Sequence, residues 1–254
     1  MDGFERVFTH SINAFDAAGG VDSLFVEFRH HKDIYGFICN EDSPPDQEAI
    51  EIATRMNPKM VESYINILKT RKVLGYIGIV KHPYHNDLDS RHIMMSIMCF
   101  NTIKDPLNHV IEIGGGFGNW LFLNQHRGIK RWSIIDLPHV GRLQKWCLSK
   151  HAIDPSIYNI VSAFDYGGVE SGDLVIGSHS LSEFSFDTFK SYFDRIIRNS
   201  KYLFYAFNKY SLSNELLSKK LEMIHEVFSP LIDTYSEQGH VLNVLYVNRV
   251  RTQE

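Results

Sequence analysis

The sequence predicts an α/β protein: a mostly parallel, seven-stranded sheet with helices on both faces, closed by a terminal antiparallel hairpin and preceded by a mostly helical amino-terminal region. Three observations predict it. From His109 onward, short apolar runs alternate with helix-length amphipathic segments, the pattern of parallel strands joined by crossover helices. The first run, His109-Val110-Ile111-Glu112-Ile113, breaks into Gly114-Gly115-Gly116-Phe117-Gly118 and then a helix-like stretch from Trp120 to Gln125. A strand, a glycine turn and a helix make a cradle for a nucleotide-type ligand, because glycine admits positive φ and close approach to the backbone. Last, two strand-like runs, 231–235 and 241–247, meet through Gln238-Gly239, a hairpin turn.

Taken in order, residues 1–107 look unlike the rest of the chain. Ile12 to Ala18 suits a helix ending at Gly19-Gly20, while Leu24, Val26 and Phe28 suit a strand or a helix equally. Ser43-Pro44-Pro45-Asp46 is a turn whose Asp46 caps a helix over 47–56, and Pro58 opens another that carries Val61, Tyr64, Ile65 and Leu68 at helical spacing. A short apolar run over 75–80 leads to His82-Pro83-Tyr84-His85-Asn86-Asp87, and Arg91 to Thr102 is again helical. This region reads as a cap or substrate region, not an independent domain, on a core spanning 108–254. Within the core, strands are expected over 132–135, 157–161, 173–177 and 201–207, with helices over 139–150, 186–198 and 213–228.

Composition narrows the class. Hydrophobic residues are 44% and charged residues 22%, the balance of an ordinary globular chain. A net charge of −4 supplies no basic field for nucleic acid or an anionic membrane, so neither is expected as a partner. No apolar run approaches a membrane-spanning length. The start, Met1-Asp2-Gly3-Phe4-Glu5-Arg6, lacks the layout of a secretory signal, and Cys39, Cys99 and Cys147 are scattered and odd in number. The expectation is a cytoplasmic protein with reduced thiols.

The loop also selects its ligand. A dinucleotide fingerprint would place glycine where Asn119 stands. The spacing is instead Glu112-x-Gly114-x-Gly116-x-Gly118, and a second acid, Asp136, ends the next strand. This resembles the first motifs of class I S-adenosylmethionine-dependent methyltransferases, which have a Rossmann-like sheet ending in an antiparallel hairpin. The resemblance implies S-adenosylmethionine as cofactor. Glu112 would lie near its cationic methionine end, Gly114, Gly116 and Gly118 would cradle it, and Asp136 with Leu137 would take its ribose. Phe164 and Asp165, beyond the third strand, would meet the adenine, and Ser178 would line the site after the fourth. Ile134-Ile135-Asp136-Leu137-Pro138-His139-Val140 and Ser178-His179-Ser180-Leu181-Ser182-Glu183 are similar to segments of the sugar O-methyltransferase group, as is the aromatic fifth strand ending at Asn208. The likeness spans roughly 105–250 and implies O-methylation of a sugar hydroxyl, with a carbohydrate as partner. Phenolic O-methyltransferases are the alternative, although their histidine-aspartate-tryptophan segment is absent; a non-catalytic module of the same fold is the other.

Methyl transfer to a hydroxyl profits from a positioned base, because a sugar hydroxyl is not ionised at neutral pH. His179 and Glu183 stand just past the fourth strand, where such a sheet opens its crevice. Either suits the role: histidine by its ordinary pKa of about 6.5, Glu183 by its place after the strand. His82, His85 and Asp87 form an H-x-x-H-x-D run. It offers too few oxygen ligands for magnesium and a weak set for zinc, so no metal is expected. For His82 and His85 substrate contact is preferred to metal binding, and a plain surface loop to both; Asn208 is the third candidate for substrate contact.

Overall fold

The protein is described by a computed structural model, over residues 44–72, 74, 85–208, 214–236 and 241–251. The elements expected over 12–28 and 75–80, the turn at Gln238-Gly239, and His82 lie outside those residues.

Among the described residues three helices precede the first strand: α1 (Gln47–Met56), α2 (Pro58–Thr70) and α3 (Asp87–Thr102). Asp46 caps α1 by accepting the Ala49 amide, and Asn57 caps α2 by accepting that of Met60, with Pro58 in the first turn where its missing N–H costs nothing. Helix α3 begins four residues before the expected Arg91. Asn86 and Asp89 form a reciprocal capping box that satisfies the orphan amides and fixes the start there.

Next come β1 (His109–Ile113), α4 (Asn119–Asn124), β2 (Arg131–Asp136), α5 (Pro138–Lys150), β3 (Tyr158–Ser162), β4 (Leu174–Ser178), the one-turn α6 (Ser180–Glu183), α7 (Phe186–Arg195), β5 (Tyr202–Asn208), α8 (Asn214–Val227), β6 (Phe228–Ser236) and β7 (Val241–Asn248). The described strands form one seven-stranded sheet in the order β3-β2-β1-β4-β5-β7-β6. Strands β1 to β5 pair in parallel, while β7 runs antiparallel to both β5 and β6. The expected α/β class with its terminal antiparallel strands is the observed one. The third strand is shifted by one residue. Strand β6 starts at Phe228, directly after α8, and carries Pro230, which an edge strand tolerates beside the register shift seen there.

Strand alternation sorts the core into two layers. Val110, Ile134, Leu174, Ile176 and Phe204 face α1 to α4, whereas Ile111, Ile113, Val175, Leu203 and Tyr205 face α7 and α8. The first layer also holds Ile93, Met94, Ile97 and Met98 of α3, so residues on both sides of 107 share one core. Helix α3 is buried along most of its length and lies on the sheet itself. The chain order reverses between β1 and β4, and a parallel sheet opens its ligand crevice at the carboxyl ends of the strands flanking such a point.

Candidate functional site

At that reversal the chain leaves β1 through a loop in which Gly114, Gly116 and Gly118 have φ of 75°, 56° and 88°. These left-handed values are routine for glycine alone. Gly114 has a second reason to be glycine: a Cβ there would stand 2.4 Å from the Cβ of Ser180, the first residue of α6. Ser180 Oγ also donates to the Ile113 carbonyl, so the end of β1 and the turn after β4 are joined.

Asp136 closes β2 beside this loop. Its carboxylate accepts from the Leu137 amide at 2.8 Å and from Gln144 Nε2 at 2.7 Å, and the Gly115 and Gly116 amides bear on it too. Burial nonetheless pushes its carboxyl up to about 7. Gln144, on α5, also donates to the Gly116 carbonyl at 3.1 Å, and its own buried Oε1 has no hydrogen-bond partner. An orphan acceptor next to a carboxylate suits a ligand that brings hydroxyl donors. Glu112 lies beneath the loop, its carboxyl carbon 3.3 Å from where a Cβ on Gly115 would stand. It is 2% exposed, on the helix-covered face of β1, and accepts from Trp132 Nε1 at 3.0 Å. Burial, with Asp136 adding repulsion, raises its carboxyl to about 8, so it is largely uncharged near neutrality.

Past β3, Phe164 is 76% exposed and Asp165 is exposed beside it, on a turn in which Ser162 Oγ accepts the Phe164 amide. Past β4, Ser178 Oγ points to Met95 Sδ of α3 at 3.5 Å. His179 then takes φ 69° and ψ −40°, a strained backbone for a residue with a Cβ. Its amide donates to the Ala206 carbonyl of β5, and its carbonyl accepts from both the amide and hydroxyl of Ser182. Burial, with Arg91 nearby, lowers the His179 imidazole to about 4. Glu183, at the far end of α6, is exposed as a residue, yet partial desolvation of its carboxyl raises it to about 7, with Lys220 opposing.

Lys220 of α8 is fully buried and donates to the carbonyls of Leu181, Ser182 and Phe184 at 3.1, 3.0 and 2.6 Å. An ammonium has three donors, and all are spent on the turn that carries His179 and Glu183. Helix α3 comes near this turn through Met95, beside Ser178, and through Arg91, which acts on the His179 imidazole. Arg71 and Asp89 form a buried, two-pronged ion pair at 2.6 Å. Both bond to Asn119, the residue after the glycine loop, and Asn119 bonds in turn to His92.

Asp89 belongs to the capping box of α3, but none of Arg71, His92, Asn119, Gln144 or Lys220 belongs to a local motif. One signal was available: Asp89, His92 and Ser96 recur at helical spacing and form a polar seam that meets Asn119 and Asn124. His85 sits at the start of α3 with Nε2 2.8 Å from Ser90 Oγ, and Asp87 pairs with Arg91 at 3.1 Å. Asn208 ends β5 opposite Val241. Among the described residues no group of three or more His, Cys, Asp or Glu stands where it would hold a metal ion. None of the helices described is long and apolar enough to cross a membrane.

The fold, with its parallel order reversing at β1/β4 and its antiparallel end, is that of class I methyltransferases. Solved structures share it. A candidate RNA methyltransferase from Pyrococcus horikoshii matches with a TM-score of 0.53 and 10% identity, over 75% of this chain and 98% of its own. Another P. horikoshii protein matches with a TM-score of 0.51 and 12% identity, over 64% and 92% of the two chains. A Thermoplasma acidophilum protein matches at 0.50 and 12%, over 74% and 97%. At such identities the likeness concerns fold alone. No family model matches the chain, and no curated protein matches it either.

Proposed function

We propose that the protein is an S-adenosylmethionine-dependent O-methyltransferase acting on a sugar hydroxyl, with a carbohydrate as its partner and the cytoplasm as its place. The observation that carries the cofactor is the pairing of Asp136 with the orphan Gln144 Oε1 beside three left-handed glycines. Two adjacent acceptors suit the two hydroxyls of a ribose, and the glycines leave room for the chain that continues from it. Phe164 and Asp165, past the neighbouring strand, are then the adenine side, and Leu137 borders the ribose. Once bound, the cofactor supplies an electrophilic methyl group on a sulfonium.

The protein's own part is to hold the acceptor hydroxyl and take its proton. His179 is the favoured base, because it follows β4 directly, bonds to β5 through its amide and is the less exposed of the two, whereas Glu183 is exposed. Its lowered pKa keeps it unprotonated at neutral pH, available but weakly basic. Ser178, His85 and Asn208 are the remaining candidate contacts for the sugar. The sugar itself rests on the likeness of 178–183 and 134–140 to the sugar O-methyltransferase group. A net charge of −4 disfavours a polyanion, which weighs against the RNA substrate of the P. horikoshii relative.

The test is methyl transfer from labelled S-adenosylmethionine to a panel of free sugars, glycosides, nucleotide sugars, phenols and RNA. Label in a carbohydrate supports the proposal; label confined to phenols or RNA overturns the substrate, and label in none supports a non-catalytic module. We expect no loss of activity in chelator, and loss restored by magnesium would contradict that.

A further inference from the structure

The buried network behind the glycine loop fixes the protonation of one ring. Arg71 Nη1 lies 3.1 Å from the Asn119 side-chain oxygen, and a guanidinium can only donate. The atom facing it is therefore the amide oxygen, which turns the Asn119 nitrogen towards Asp89 Oδ1 at 3.1 Å and His92 Nδ1 at 3.0 Å. An amide nitrogen only donates, so Nδ1 must accept and the ring proton must sit on Nε2. Burial agrees with this assignment by lowering the imidazole to about 3, which leaves the ring neutral. Packing against Trp120, with centroids 5.9 Å apart, holds the ring plane.

The position of that donor matters. His92 is partly exposed and stands between Asn119, which comes directly after the glycine loop, and His179, near enough for the two rings to influence each other. A cofactor whose ribose lay at Asp136 on β2 would extend over the neighbouring β1 loop, and Asn119, the hydrogen-bond partner of His92, directly follows that loop.

Building on the S-adenosylmethionine reading, we propose that His92 Nε2–H binds the α-carboxylate of the cofactor's methionine end, with Arg71, Asp89 and Asn119 as positioning residues. The test is titration calorimetry with S-adenosylmethionine and with its decarboxylated analogue. The wild-type protein should favour the carboxylated ligand by roughly tenfold or more, the yield of one hydrogen bond to a charged group. His92→Asn keeps an acceptor for Asn119 but not the outer donor, and should erase that preference. His92→Gln places an amide N–H near the Nε2 position and should retain most of it. Equal wild-type affinity for the two ligands, or an equal loss of both in His92→Asn, overturns the proposal. It also falls if His92→Asn lowers turnover while the preference stays intact, since the ring would then serve the acceptor. Absence of any binding to wild type strikes the cofactor reading itself.

Discussion

His179 and Glu183 sit at opposite ends of one helical turn, and their surroundings move their proton affinities in opposite directions. Burial lowers His179 to about 4, and Glu183 is raised towards about 7. The ordinary histidine value near 6.5 is thus displaced by burial, with the Arg91 charge adding to it. This separation makes the base identifiable. If His179 takes the proton, methyl transfer stays level on acidification until about pH 4–5; if Glu183 does, it declines through about pH 7. A pH profile of turnover at saturating cofactor measures this, and we expect the low limb. His179→Ala should cost about 10²–10⁴-fold in turnover, and Glu183→Gln far less. Near-normal turnover in His179→Ala would remove it from the reaction.

At the scale of elements, the turn carrying those residues is held by the end of β1 and by α8. Gly114 meets Ser180 too closely to admit a Cβ, and Lys220 gathers three carbonyls of the segment from below. Lys220→Met keeps the length of the side chain but removes all three donors. We expect turnover to fall by about 10²-fold, because small misplacements at a reacting centre cost that much, with cofactor affinity unchanged. A variant that is folded and fully active would show that the turn holds its shape without Lys220. Range along the chain decides which of these features were legible in the sequence. The β1 strand, the glycine loop and Asp136 were legible because their geometry depends on neighbouring residues, and Asp46 and Pro58 marked helix starts for the same reason. Gln144, Lys220 and the Arg71–Asp89–Asn119–His92 chain were not, since each acts across 8 to 48 positions. Glu112 was placed correctly in its strand, but the alternation of β1 turns its carboxyl under the loop towards Trp132.

For the whole molecule, burying these groups makes stability depend on pH. Glu112 and Asp136 titrate higher in the folded state than in the unfolded one, so the folded protein holds more protons and loses stability as pH rises towards 7–8. His92 and His179 titrate lower when folded, so their contribution is lost as pH falls below about 6.5. Between about pH 4.5 and 6.5 the two effects oppose each other, and from there to about pH 8, where buried Lys220 begins to lose its proton, the acids prevail. The melting temperature should therefore decline between pH 6.5 and 8, and Glu112→Gln should flatten the decline; an unaltered decline would show that Glu112 ionises freely. The proposed chemistry depends above all on the cradle at Asp136, which calorimetric titration of S-adenosylmethionine tests most directly. We predict saturable one-to-one binding by the wild-type protein, weakened tenfold or more in a folded Asp136→Ala variant. No heat of binding in wild type, or equal affinity in the variant, would contradict it.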